Sequence, residues 1–229
     1  MSKDHLTNVT RRQALTGSLG AAGLFAAGAT SAGAQSRAAD TPGALEGKKV
    51  LIAIGEFSEG LETYYMVYRL IEERAQPVVA AAAVKRVQLV VHDFEPQYTN
   101  YTEKPGYFIE STVAYNDVDP KEYDALLIPG GRGPEEIRQY QAARSVAGYF
   151  IDTKRPLGAM CHGPQLVYAA RNMNGRRMAA YHGIRADVEA AGATFVDQPV
   201  VVDGNLITSR GWPDLPFFMP EFLRVAAAS

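Results

Sequence analysis

Pro156-Leu157-Gly158-Ala159-Met160-Cys161-His162-Gly163-Pro164 is the stretch whose reading decides the fold. The small and apolar residues before the cysteine read as a short buried strand. The Gly-Pro after it opens an apolar helical stretch from Gln165 to Ala170. A cysteine between a strand end and a helix start sits on a sharp turn, with its sulfur near the unpaired amides of the helix N-terminus. Those amides and the helix dipole favour an anion, and so favour thiolate over thiol. This is a nucleophile elbow built around cysteine instead of serine. The alternative is an inert cysteine packed as a small hydrophobe.

Working outward, Lys48 to Ile54 is apolar on both faces and predicts a central strand, followed by a helix over Leu61 to Arg74. Pro77 to Ala82 and Val87 to Val91 are β-branched runs that predict two more strands. Phe94 to Asp119 is aromatic and turn-rich, and predicts an irregular excursion with a short strand at Ser111 to Ala114. It is a lid, an interface, or a loop whose aromatics fold back on the body. Ala125 to Ile128 predicts a buried strand ending at Pro129-Gly130-Gly131, before helices over Glu135 to Tyr140 and Ala142 to Thr153. Ile184 to Ala191 is a further helix, Val200 to Thr208 a hairpin about Asp203-Gly204, and Leu215 to Ala227 a final helix. Strands alternating with helices predict a doubly wound α/β layer with a mostly parallel sheet and its sites at the carboxyl ends of the strands.

The N-terminus reads as an address. Thr10-Arg11-Arg12-Gln13-Ala14-Leu15 is a twin-arginine pattern, with Ala14 where Phe is usual and Thr16 in place of Lys. A mild apolar stretch to Ala29 follows, then Ala32-Gly33-Ala34 as a cleavage site. The expected organisation is a signal peptide over 1–34, a linker over 35–47 and one domain over 48–229. The expected destination is the periplasm, reached through transient contact with the twin-arginine export machinery. The apolar stretch is too short and glycine-rich for a stable membrane span. A formal net charge of −2 and the lack of a basic stripe speak against nucleic acid as a partner. One cysteine permits no intramolecular disulfide, and with four scattered histidines it offers no metal-ligand spacing. No cofactor is expected.

Three strand-end segments converge in such a sheet: Glu59, Gly130-Gly131 and Cys161-His162. Glu59 at a helix start can hydrogen-bond the sulfur when protonated, accept a proton in turnover, or simply serve the helix dipole. The backbone at Gly130-Gly131, with the amide of His162, can form an oxyanion hole, or be a plain tight turn. His162 is a candidate base, although neighbours on an elbow often point apart. His92, beside Asp93, reads as structural.

The runs Glu59-Gly60-Leu61-Glu62, Ile128-Pro129-Gly130-Gly131-Arg132-Gly133-Pro134-Glu135, Met160-Cys161-His162-Gly163-Pro164-Gln165 and Val201-Val202-Asp203-Gly204-Asn205-Leu206 resemble the ThiJ/PfpI superfamily, PfpI-like branch. The resemblance spans Lys48 to Val225. It implies a flavodoxin-like, class I glutamine amidotransferase-like fold, with Cys161 as nucleophile, Glu59 as the carboxyl on its sulfur, and Gly131 and the His162 backbone as oxyanion donors. It also implies that His162 pairs with Glu135 of a neighbouring subunit, and so a dimer or higher homo-oligomer. Some relatives carry a histidine where Tyr181 stands here, one place from His182, so His182 takes no catalytic role. The longer excursion from Val84 to Asp119 reshapes access to the pocket.

The expected function is a cysteine-dependent hydrolase or lyase acting on reactive carbonyls, glyoxalase- or deglycase-like. Small aldehydes are favoured because they easily reach an exposed elbow. A PfpI-type cysteine peptidase and a non-catalytic stress chaperone or redox sensor are the alternatives. Glutamine amidotransfer shares the elbow but needs a later histidine, and none follows His182.

Overall fold

The computed structural model describes residues 43–229. The expected signal peptide and most of the expected linker lie outside the described residues. Leu45, in the last part of that linker, is fully buried, so this part belongs to the packed body.

The chain runs β1 (Lys49–Ala53), β2 (Ser58–Glu59), α1 (Gly60–Glu72), β3 (Gln76–Ala81), β4 (Arg86–Asp93), β5 (Thr102–Glu110), β6 (Val113–Ala114) and β7 (Ala125–Ile128). Next come α2 (Gly133–Ile137), α3 (Gln141–Asp152), β8 (Leu157–Met160), α4 (Pro164–Ala170), β9 (Arg177–Met178), α5 (Arg185–Ala190) and β10 (Thr194–Phe195). The hairpin β11 (Val200–Asp203) and β12 (Leu206–Ser209) and helix α6 (Leu215–Ala227) close the chain.

The main sheet has the order β11-β12-β8-β7-β1-β3-β6, and among these described strands β11 alone runs against its neighbour. The expected doubly wound α/β sheet is present. Its strand order reverses between β1 and β7, so both of those strand ends open onto one crevice. Side chains alternate across the sheet. Leu51, Leu126, Ile128 and Leu157 face one apolar cluster with Val146 and Phe150 of α3 and Leu166 of α4. Val50, Ile52, Leu127 and Met160 face the other, with Met66 and Leu70 of α1 and Phe218 and Phe222 of α6. A strand buried on both faces has no polar alternate position, which is why these runs are continuously apolar. Gly158 in β8 leaves a gap in that surface: a Cβ there would stand 2.8 Å from the Phe218 ring, so its absence seats α6 against the sheet.

The excursion corrects the sequence expectation. It is not irregular: β4 and β5 form a long antiparallel hairpin, with a bulge between Gln88 and Val90, in a separate sheet of order β2-β4-β5. Lys104-Pro105-Gly106, a turn signal in sequence, lies inside β5. Proline has no amide for a ladder, and β5 is an edge strand, where that loss is tolerated. The β2–β4 pairing ties this small sheet to the start of α1.

Candidate active site

Cys161 follows β8 directly and adopts φ +57°, a left-handed conformation that a non-glycine residue holds at a cost of about 1–3 kcal/mol. Its neighbours hold it there. The Cys161 N–H donates to the Ser209 carbonyl and its own carbonyl accepts from the Tyr181 N–H, both at 3.0 Å. This is the elbow expected from the sequence. The space for it is made by Gly130 at the end of β7, where a Cβ would stand 2.4 Å from Cys161 Cβ. At Gly131, φ +73° and a Cβ position 2.4 Å from the Glu59 nitrogen exclude any side chain. The amides of Gly131 and His162 both point at the sulfur.

The three expected strand ends do meet, but the carboxyl at the sulfur is not that of Glu59. Glu59 is the N-cap of α1, and its Oε2 accepts the Glu62 N–H at 2.6 Å. The acid facing Sγ is Glu62, whose Oε2 accepts the Gly130 N–H at 2.6 Å. The other oxygen of Glu62 is buried with no hydrogen-bond partner. The reason is helical geometry. Side chains lean toward the helix N-terminus, so the third residue of α1 reaches over its end while the capping residue turns back on the amides. Glu62 lies within a run singled out in the sequence. The signal for it was the capping position of Glu59, which consumes that carboxyl.

Electrostatics follow from burial. Desolvation raises the Glu59 carboxyl to about 7, and raises Glu62 well above the ordinary carboxylate range, with the Glu59 charge adding to it. The thiol of Cys161 is likewise pushed up, by burial first, against the pull of the Gly131 and His162 amides. The helix terminus alone therefore does not decide its ionisation, and α4 has only seven residues. His162 Nδ1 stands 3.3 Å from Sγ, and burial lowers the imidazole to about 4, so it is neutral near pH 7.

The elbow is not exposed. Cys161 is 4 % accessible. Around it stand the rings of His162, Tyr181 and Tyr101, with Tyr101 edge-on to His162 at 5.9 Å and Tyr181 5.0 Å from His162. Neither tyrosine was singled out from sequence as a site residue, since nothing local ties position 101 or 181 to position 161. His92 is buried, as a structural histidine should be, with Nε2 2.9 Å from Glu103, which Arg132 also binds. Glu135 is exposed on α2, where its N–H donates to the Arg132 carbonyl at 3.0 Å, and among the described residues its carboxyl makes no hydrogen bond or ion pair. His182 is exposed and packs on the Tyr181 ring at 4.3 Å. Among the described residues no group of three His, Cys, Asp or Glu side chains is placed to hold a metal ion.

The DJ-1/PfpI family pattern matches residues 48–225, which hold every residue of this site. The chain belongs to the DJ-1/PfpI family. It is 36% identical over 177 residues to a protein of Thermococcus kodakarensis named a deglycase, covering 77% of this chain and 98% of that one. A Bacillus subtilis protein whose name marks it as a candidate cysteine protease is 34% identical over 178 residues, covering 78% and 98%. Among solved structures, the ThiJ/PfpI domain protein of Brachyspira murdochii aligns with a TM-score of 0.68 at 17% identity, over 80% of this chain and 99% of that one. That likeness bears on the fold. In DJ-1/PfpI terms, the elbow, the Gly130-Gly131 turn and the carboxyl of Glu62 form one constellation at the sheet's crevice.

Proposed function

We propose that this protein is a cofactor-independent, cysteine-dependent enzyme acting on reactive 2-oxoaldehydes and the adducts they form, a glyoxalase or deglycase. The observation that carries it is one sulfur, on a strained elbow, faced by two backbone amides, a buried carboxyl and a neutral imidazole. The names of the DJ-1/PfpI relatives support the same reading. Glu62, kept protonated by burial, donates its O–H to the thiolate and adds no negative charge beside it. The S–H proton passes to His162 Nδ1, 3.3 Å away, as Sγ attacks the aldehyde carbon; the carbonyl oxygen, received by the Gly131 and His162 amides, then takes that proton and leaves the imidazole neutral again. His162, neutral, relays the carbon-bound proton of C1 to C2, giving a thioester of a 2-hydroxy acid. Water then cleaves the C–S bond and the thiol is restored. The sum is 2-oxoaldehyde plus water to 2-hydroxy acid, with no outside oxidant.

The peptidase alternative has the name of one relative behind it, but a cysteine only 4 % accessible favours a small substrate over an extended chain. Glu135, exposed at the start of α2, is the group we assign to the partner's His162 in a homodimer or higher oligomer. Export by the twin-arginine route completes the proposal. The test is turnover of methylglyoxal by the purified chain and by Cys161→Ser. The variant is expected to lose at least about a thousandfold, as the removal of a nucleophile does. Equal detoxification by both proteins rejects the enzymatic reading. Casein-type peptides in the same assay decide the peptidase alternative.

A further inference from the structure

The ring of Tyr101 comes from the tip of the β4–β5 hairpin, far in sequence from the elbow it packs beside. Its face lies on the buried His92 ring at 3.9 Å and 21°, and its edge meets His162 at 5.9 Å and Tyr181 at 5.3 Å. It packs against the same apolar cluster that contains Cys161 and Tyr181. The support under it is stiff. His92 Nε2 is held by Glu103 at 2.9 Å, Arg132 holds the other side of Glu103, and the His92 carbonyl accepts from Trp212 Nε1 at 2.9 Å. From the front, Asn100 Oδ1 accepts from both the Tyr181 hydroxyl and the Tyr101 amide. The ring is thus packed on its face by His92 and at its edges by His162 and Tyr181, while Asn100 ties its backbone to the Tyr181 hydroxyl.

We propose that Tyr101 determines the size of substrate: its ring forms the part of the roof over Cys161 that favours a small aliphatic 2-oxoaldehyde unit over an aromatic one. This deepens the function proposed above and rests on it for the reaction, though not for the gating. The nearness of ring and sulfur is felt electrostatically as well. Burial first, and then negative charge on Cys161, push the Tyr101 phenol up to about 12.

Because the chain has one cysteine, maleimides report on this thiol alone. The parent, Tyr101→Ala, Tyr101→Leu and Tyr101→Phe are each reacted with N-ethylmaleimide and with N-(1-pyrenyl)maleimide, and followed by intact mass. Methylglyoxal and phenylglyoxal turnover is measured beside them, and thermal melting shows that each variant folds. The expected result is a rise of about tenfold or more in the pyrenyl-to-ethyl rate ratio for Ala and Leu, a parental ratio for Phe, and a matching rise in kcat/KM for phenylglyoxal over methylglyoxal. Ratios unchanged in folded Ala or Leu variants overturn the gate. Should labelling ratios shift while no protein turns over a dicarbonyl, the gate stands and the proposed reaction falls. Turnover with flat ratios means the reverse: the reaction stands and the gate falls.

Discussion

Glu62 owes its place to the direction in which a helix points its side chains. Three positions after the capping Glu59, it reaches back over the end of α1 to the Gly130 amide and the cysteine. Its second oxygen has no partner, which suits a carboxyl that carries a proton and offers it to sulfur. Glutamine keeps both an acceptor for Gly130 and a donor for Sγ; leucine keeps neither. Glu62→Gln is therefore expected to stay within about tenfold of the parent in methylglyoxal kcat/KM, and Glu62→Leu to fall by about a hundredfold or more. Glu59→Gln retains an oxygen for the cap and is expected to change turnover by only a few-fold. If Glu62→Gln is as inactive as Glu62→Leu, the proton must leave Glu62 during turnover, against the role assigned here.

The two elements meeting at the site answer to pH in opposite directions. At the start of α1, the Glu59 carboxyl titrates at about 7 against an ordinary 4.5. The stability it contributes is full below pH 4.5 and is lost as pH rises through about 7. At the elbow, the His162 imidazole titrates at about 4 against 6.5, so the stability tied to it is present above pH 6.5 and lost as pH falls through about 4. Each shift corresponds to about 3 kcal/mol at its limit, and the two slopes oppose each other between pH 4.5 and 6.5. Relative to the parent, Glu59→Gln is expected to gain in melting temperature as pH rises from 4.5 to 7. His162→Gln is expected to gain as pH falls from 6.5 to 4. Denaturant midpoints across that range measure both, and parallel curves for parent and variants refute the assignment. The hairpin is a different case at the same scale. Its Lys104-Pro105-Gly106 spells a turn by composition, and only the position of β5 at a sheet edge lets that tripeptide lie in a strand.

For the molecule as a whole, the doubly wound order places three strand ends at one crevice, and the β4–β5 hairpin covers that crevice. The homo-oligomer is expected in sedimentation of the purified protein. If Glu135 of one subunit orients His162 of the next, Glu135→Ala loses turnover about tenfold or more while the monomer fold and its melting are kept. Full activity in a variant that still assembles removes Glu135 from the reaction. Export has its own test: Arg11→Lys together with Arg12→Lys is expected to hold the precursor in the cytoplasm, and undiminished secretion rejects the twin-arginine route.

The strand–cysteine–helix elbow, the alternation of strands and helices in the main sheet and the meeting of Gly130-Gly131 with Cys161-His162 were determined by sequence alone, whereas the β4–β5 hairpin was not. They follow from side-chain periodicity, from turn chemistry and from the rule that parallel strands gather their ends. Tertiary structure decided which of two nearby glutamates touches the sulfur, how the thiol is shielded, and that Tyr101 stands over it. These depend on the lean of a helix side chain and on contacts between residues some sixty positions apart, Tyr101 and Cys161 among them, and no local pattern encodes such distances.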